Sequence, residues 1–283
     1  LALGGNKTRK LEFLLAEAQA QGAEMVFTTG APQSNHCRQT AAAAARSGLA
    51  CTLVLAGDPP DELSANYLLD TLLGAQIIWT QKATRDQTLQ AAFEQAQSEG
   101  RKPYLVPYGG SSSTGAAAYA FALQELLEQG VSPDWIVFAS SSGGTQAGLV
   151  AGAYLLGFVG RILGISVDEP EAALKAQVAT LASETVSRLG TPAHFEPSRI
   201  LVNTDYIGAG YGMAGPPEIE AMQLFAKNEG VLVDPVYTGR AAAGLIDLIR
   251  TGFFSPDESV LFWHTGGTPA LFASKYRDLI RNA

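Results

Sequence analysis

Three glycine-bearing stretches hold the residue types that do chemistry. The first, Gly4-Gly5-Asn6-Lys7-Thr8-Arg9-Lys10, puts two lysines at the start of an amphipathic helical pattern, with Leu11, Leu14, Leu15 and Ala18 on its apolar side. The positive end of a helix dipole disfavours a further cation, which tunes Lys7 toward the neutral amine that forms a Schiff base with a carbonyl. Taken alone, Lys7 reads rather as a solvated lysine in a basic turn, since most lysines lie at the surface. The second stretch, Ser140-Ser141-Ser142-Gly143-Gly144-Thr145-Gln146-Ala147-Gly148, follows an apolar strand pattern and opens a helix. Outward N–H groups, the hydroxyls of Ser142 and Thr145, and close backbone approach at Gly143 and Gly144 suit a phosphate, although an ordinary strand-to-helix turn has a similar composition. It is neither a P-loop nor a G-x-G-x-x-G fingerprint. The third stretch is His264-Thr265-Gly266-Gly267-Thr268, just before Pro269, which is expected to open the last helix.

Other residues carry weaker signals. Gln33-Ser34-Asn35-His36 precedes the alanine block 41–45, and the spacing makes Ser34 or Asn35 a helix cap, with Asn35 the expected one. Tyr211, between Gly210 and Gly212, and Tyr237, in Asp234-Pro235-Val236-Tyr237, are loop phenols that also suit a core edge with a wet tip. His36, His194 and His264 show no ligand spacing, so no metal site is assigned, and His194 reads as surface. No G-x-S-x-G elbow is present, which leaves a serine hydrolase without support. Cys37 and Cys51 make no disulfide framework or zinc pair and fit a reducing cytoplasm.

The elements that must position these residues alternate along the chain. Strand patterns fall at 25–29, 52–55, 76–79, 104–106, 135–138, 162–167 and 260–263. Helical patterns fall between them at 63–73, 84–98, 116–129, 172–189, 218–228 and 240–249. Repeated βα units with apolar strand runs mean a parallel sheet covered by helices, and an eight-stranded barrel would alternate in the same way. The 283 residues suit one large or two medium domains. Hydrophobic residues at 47% and charged residues at 16% exclude global disorder. With 19 basic against 27 acidic residues, the net charge of −8 argues against nucleic-acid or anionic-membrane partners. No apolar run is long enough to span a membrane.

Read together, GGNKTRKLE at 4–12, QSNHCRQTAA at 33–42, SSGGTQAG at 141–148, GAGYG at 208–212, DPVYTGR at 234–240 and HTGGTPALF at 264–272 resemble the 1-aminocyclopropane-1-carboxylate deaminase/D-cysteine desulfhydrase family of pyridoxal-phosphate enzymes. The resemblance covers nearly the whole chain in the expected order. It implies an α/β, tryptophan-synthase-β-like fold with two open, mostly parallel sheets. It also implies a small domain at 10–120 and a large cofactor-binding domain at 1–9 and 121–283. The chain opens at Leu1, and relatives are expected to have residues before GGNK. Lys7 would bond the cofactor aldehyde and later move protons. Lys10, Ser142, Gly143, Gly144 and Thr145 would hold the phosphate, and Asn35 would meet the ring hydroxyl. Ser34 would bind the substrate carboxylate or assist proton transfer, with Tyr211 and Tyr237 over the substrate. Thr238 and Thr265 stand where the deaminases are expected to have Glu and Leu, the pattern of the D-cysteine desulfhydrase branch. A hydroxyl at the ring nitrogen makes a weaker, neutral hydrogen bond than a carboxylate does. The reading is therefore α,β-elimination on a small amino acid, D-cysteine, by a cytoplasmic homodimer. Deamination of the cyclopropane substrate, loss of sulfite from cysteate, β-replacement and a non-catalytic phosphate-ligand module are the alternatives.

Overall fold

The computed structural model describes residues 1–281. Strands β1 (Met25–Gly30), β2 (Ala50–Ala56), β3 (Gln76–Thr80) and β4 (Pro103–Leu105) form one sheet in the order β3-β2-β1-β4. Strands β5 (Trp135–Ser140), β6 (Arg161–Ser166), β7 (Leu201–Asn203) and β8 (Val260–Phe262) form a second in the order β7-β6-β5-β8. Every pairing is parallel. Central strands β1 and β5 are buried along their whole length, because helices cover both faces. That is why they read as continuous apolar runs rather than alternating ones. Two open sheets exclude the closed barrel that periodicity alone allowed.

The helices used below are α1 (Asn6–Ala20), α2 (Asn35–Arg46), α3 (Ala65–Leu72), α4 (Arg85–Ser98), α5 (Ser113–Glu128), α6 (Gly144–Leu156), α7 (Glu171–Arg188), α8 (Pro216–Leu224), α9 (Thr238–Arg250) and α10 (Ser274–Arg281). Small residues let α5 and α6 pack closely: a Cβ on Gly148 would sit 2.0 Å from the Ala116 carbonyl oxygen. The alanine block of α2 lies against the first sheet, with Ala41 and Ala44 fully buried. Among the described residues, no helix is long and apolar enough to cross a membrane.

Local expectations differ from the structure in four places. The cap of α2 is Ser34, whose Oγ accepts the Cys37 N–H at 3.2 Å, so Asn35 begins the helix with its amide free for other work. The helix placed at 218–228 ends at Leu224 and continues as a π turn over Phe225–Glu229. Pro269 opens a short 3-10 turn, Thr268–Phe272, and α10 starts afterwards. Strand β7 was not anticipated. It has three residues at a sheet edge, too few to show a period.

The topology fixes where a ligand can bind. In open parallel sheets, ligands bind beyond the carboxyl ends of the strands, where the strand order reverses. The reversal lies between β1 and β4 in the first sheet and between β5 and β8 in the second. The segments leaving those four strands carry Ser34 and Asn35, Tyr108 and Gly109, Ser140 to Gly143, and Thr265 and Gly266. All of them line one cleft.

Candidate active site

The cleft is completed by Asn6 and Lys7 from the first turn of α1 and by Tyr237 ahead of α9. The loop bearing Lys7 is fastened to both sheets. The Asn6 backbone N–H donates to the Thr265 carbonyl at 3.0 Å, and Asn6 Nδ2 donates to Thr145 Oγ1 at 3.0 Å. A Cβ on Gly266 would lie 2.6 Å from the Gly5 Cα, so only glycine permits this approach. These contacts bring together segments that are far apart in sequence.

Lys7 and Lys10 lie side by side, one turn apart on α1. Burial lowers the Lys7 amine to about 8, although its hydrogen bond with Lys10 opposes the shift. Lys10 is fully buried. Its ammonium donates to the Gly109 carbonyl at 3.2 Å and reaches Ser111 Oγ at 3.5 Å. Burial, reinforced by the charge on Lys7, pushes it well below the usual lysine range. No acid lies among the residues lining the cleft. The pair therefore forms a desolvated, positively biased patch with no counter-anion in contact.

Beside it stands the N-terminus of α6. Gly143 is left-handed there (φ 71°) and, as the N-cap, offers the helix no side chain. A Cβ on Gly144 would come within 2.5 Å of Ser111 Oγ and 2.9 Å of Lys10 Nζ, so the backbone and the ammonium share one small space. Ser111 Oγ donates to Ser142 Oγ at 2.8 Å and accepts the Gly144 N–H at 3.2 Å. A helix N-terminus opened by glycines, with hydroxyls and a buried ammonium beside it, suits an anion.

On the opposite side, Tyr211 and Tyr237 are joined hydroxyl to hydroxyl at 2.6 Å, with their rings edge to face. Burial holds both phenols above their ordinary range, so they remain protonated. The Tyr211 loop is held by fully buried Arg240, which donates to the Gly210 carbonyl (3.1 Å) and the Met213 carbonyl (2.7 Å) and pairs with Glu218 at 2.8 Å.

Of the twelve residues expected at the site, Lys7, Ser34, Asn35, Ser142, Gly143, Thr145, Tyr237 and Thr265 line the cleft. Lys10, Gly144 and Tyr211 stand one contact behind this lining. Thr238 is turned away. Its hydroxyl accepts the Asp234 N–H at 2.8 Å and lies 2.8 Å from Asp234 Oδ1 and 3.2 Å from the Gly266 carbonyl. Asp234 caps the start of α9 by accepting the N–H groups of Val236, Tyr237 and Thr238. Thr238 thus braces a buried carboxylate, and Thr265 is the hydroxyl residue at the cleft surface.

Sequence reading passed over several neighbours. His36 lines the cleft and is buried. Thr28 Oγ1 donates to the Val106 carbonyl at 2.8 Å, so at 2.8 Å from His36 Nε2 it must accept, which places the imidazole proton on Nε2 and leaves Nδ1 without a partner. Burial keeps this ring neutral. Tyr108 and Gly109 follow β4. The Tyr-Gly-Gly that comes straight after an apolar run was the signal that could have found them.

These features define an enzyme site built for an anionic, aldehyde-bearing cofactor, and the comparisons agree. The description "Pyridoxal-phosphate dependent enzyme" matches residues 1–266, and the chain belongs to that family. It is therefore a pyridoxal-phosphate-dependent enzyme with the two-sheet fold of that class. The chain is 41% identical over 283 residues to a D-cysteine desulfhydrase of Salmonella newport (strain SL254), covering 96% of this chain and 85% of the relative. A crystal structure of an ACC deaminase homologue superposes with a TM-score of 0.89 at 37% identity, over 99% of this chain and 84% of that one. The structure of a fungal L-serine ammonia-lyase from Rhizomucor miehei shares the fold at a TM-score of 0.69 and 17% identity, over 99% of this chain and 89% of that one. The residues present fit the cofactor: a lysine amine lowered to about 8 lines an acid-free cleft, and a second buried lysine without an ion-pair partner stands just behind it with a glycine-opened helix N-terminus.

Proposed function

We propose that this chain catalyses α,β-elimination on a small amino acid, with D-cysteine as the substrate. The observation that carries the reading is the desolvated Lys7–Lys10 pair beside the glycine-opened N-terminus of α6, in a cleft with no acid in its lining. The choice of D-cysteine is supported by the 41% identical desulfhydrase and by threonines at 238 and 265.

When bound, pyridoxal phosphate supplies an electron sink for the α-carbon of the substrate. Lys10, Ser142, Gly143, Gly144 and Thr145 would hold its phosphate, Asn35 would meet its ring hydroxyl, and Thr265 would offer a neutral hydroxyl toward the ring nitrogen. Thr238 would act on that side through Asp234. Lys7 would supply the amine for the cofactor aldehyde and the base that takes the substrate α-proton. Its low proton affinity keeps a useful fraction neutral near pH 8. Ser34 Oγ faces the substrate carboxylate. Tyr237, kept protonated by burial and paired with Tyr211, assists the departing sulfur by donating a hydrogen bond. One D-cysteine and one water then balance pyruvate, ammonia and hydrogen sulfide.

The same reading treats residues 10–120 as a small domain against 1–9 and 121–283, and the protein as a cytoplasmic homodimer. Two buried free thiols suit a reducing compartment, and sedimentation checks the dimer. Borohydride reduction of the loaded protein followed by peptide mapping tests the site: the tag is expected on Lys7, and a tag on another lysine overturns it. Side-by-side turnover of D-cysteine, cysteate and the cyclopropane substrate tests the reaction. A keto acid from the cyclopropane substrate alone would remove D-cysteine as the substrate.

A further inference from the structure

Arg38 is fully buried one turn into α2, and none of the roles above uses it. Its guanidinium joins three segments. Nη1 donates to Asn35 Oδ1 at 2.9 Å and to Asn66 Oδ1, in α3, at 2.5 Å. Nη2 donates to the Gly4 carbonyl at 2.8 Å, three residues before Lys7. A second donor reaches Asn35 Oδ1 from Asn66 Nδ2 at 3.0 Å. Asn66 is itself fixed, because Nδ2 also donates to the Gln33 carbonyl at 2.9 Å and its backbone N–H donates to Gln33 Oε1 at 2.8 Å.

An amide oxygen has two lone pairs, and here both are taken. This network assigns the Asn35 amide a single orientation. The oxygen faces Arg38 and Asn66, and the two Nδ2 protons are left for the cleft that Asn35 lines. The donor on the oxygen is a cation that stays charged at neutral pH, and a charge-assisted bond there polarises the amide and strengthens its N–H groups as donors. No carboxylate pairs directly with Arg38, and Nε has no partner. Burial of a cation is costly, and the charge is offset only through space, by the Asp70 and Asp234 carboxylates.

We propose that Arg38 and Asn66 are positioning residues: they hold the Asn35 amide with its N–H donors toward the phenolic oxygen of the cofactor ring, and Arg38 ties that orientation to the loop carrying Lys7. The inference rests on the reading that Asn35 meets the ring.

The test uses full-length protein loaded with pyridoxal 5′-phosphate and reads its dissociation constant, the induced visible circular dichroism of the bound cofactor, and kcat against KM for D-cysteine. Asn66→Asp preserves volume and gives Arg38 a carboxylate. It also removes the donor to Asn35 Oδ1, so the Asn35 amide turns its N–H groups inward. The expected result is about a tenfold weaker cofactor constant, the size of one charge-assisted hydrogen bond. An altered dichroic band is expected with it, and a fall in kcat larger than the change in KM. Arg38→Lys is expected to act in the same direction. If the lysine variant fails to fold, Asn66→Asp decides alone. In an Asn35→Ala background Asn66→Asp is expected to add little, since its effect runs through that amide. A wild-type dissociation constant and dichroism in Asn66→Asp, or full additivity with Asn35→Ala, would overturn the inference while leaving the proposed function intact. Wild-type protein that takes up no cofactor on Lys7 would overturn both.

Discussion

The first sheet builds its wall of the cleft from side chains. Ser34, Asn35 and His36 project from the start of α2, and Arg38, Asn66 and Thr28 hold two of them from behind. The second sheet brings backbone into its wall, at Gly143 and Gly266, among the hydroxyls of Ser140, Ser141, Ser142, Thr145 and Thr265. Gly143 and Gly144 open α6, and Gly266 touches Gly5. Both walls stand at the same kind of place, where strand order reverses. The difference suits the cargo of the proposed reading. A phosphate is met well by clustered N–H groups and a dipole, which need close approach and no particular side chain. A flat ring has to be oriented, and that takes fixed, directional side-chain donors.

Replacing Lys7 with alanine removes the amine that serves both walls. Pyruvate release from D-cysteine is expected to fall at least about 10³-fold, since the substitution deletes both nucleophile and base. On the backbone wall, Gly144→Ala puts a methyl group into the space of Lys10 Nζ and Ser111 Oγ. Titration with pyridoxal phosphate is expected to show binding weaker by about 10- to 100-fold, one to two factors of 1.4 kcal/mol. If Gly144→Ala bound normally, the backbone wall would not be the phosphate side.

Behind the side-chain wall, Asp70 is fully buried with both carboxylate oxygens unpartnered, and burial raises it to about 8. Its folded value lies above its unfolded one, so it favours the fold below about pH 4. That contribution is lost as pH climbs toward 8, at about 1.4 kcal/mol per unit. Thermal unfolding of the cofactor-free protein from pH 5 to 9 is expected to show Asp70→Asn gaining on wild type as pH rises. An unchanged difference would mean that the carboxyl is solvated. The pH effect at Lys7 has a separate readout: cofactor uptake is expected to quicken with pH and level off above about 8, where the amine is neutral. The smallest effect is expected far from both walls. Arg9 and Glu125 form an exposed pair at 2.7 Å, and Arg9→Ala is expected to change stability by less than about 1 kcal/mol, measured by urea unfolding.

The backbone wall was easier to see in the sequence than the side-chain wall. Glycines after the apolar runs at 135–138 and 260–263 announce a turn that a ligand can approach closely, and the strands themselves show as apolar runs. Two separate sheets could not be told from a barrel by periodicity, because both alternate in the same way. The orientation of the Asn35 amide depends on Asn66, 31 positions away, and on which lone pairs are already filled. Neither leaves a local pattern. The contacts of Thr238 are hidden for a similar reason: its place in the motif is readable, but its bonds to Asp234 and the Gly266 carbonyl are a fact of packing.

The fastening of the Lys7 loop to Thr265 and Thr145 bears on biosynthesis. Both anchors lie in the second half of the sequence, so the turn that carries Lys7 has its full set of contacts only when the second sheet is in place. A fragment ending before residue 264 would keep the Asn6–Thr145 bond and lose the backbone bond to Thr265. Maturation of the Lys7 turn is thereby tied to completion of the chain as far as β8 and the loop after it.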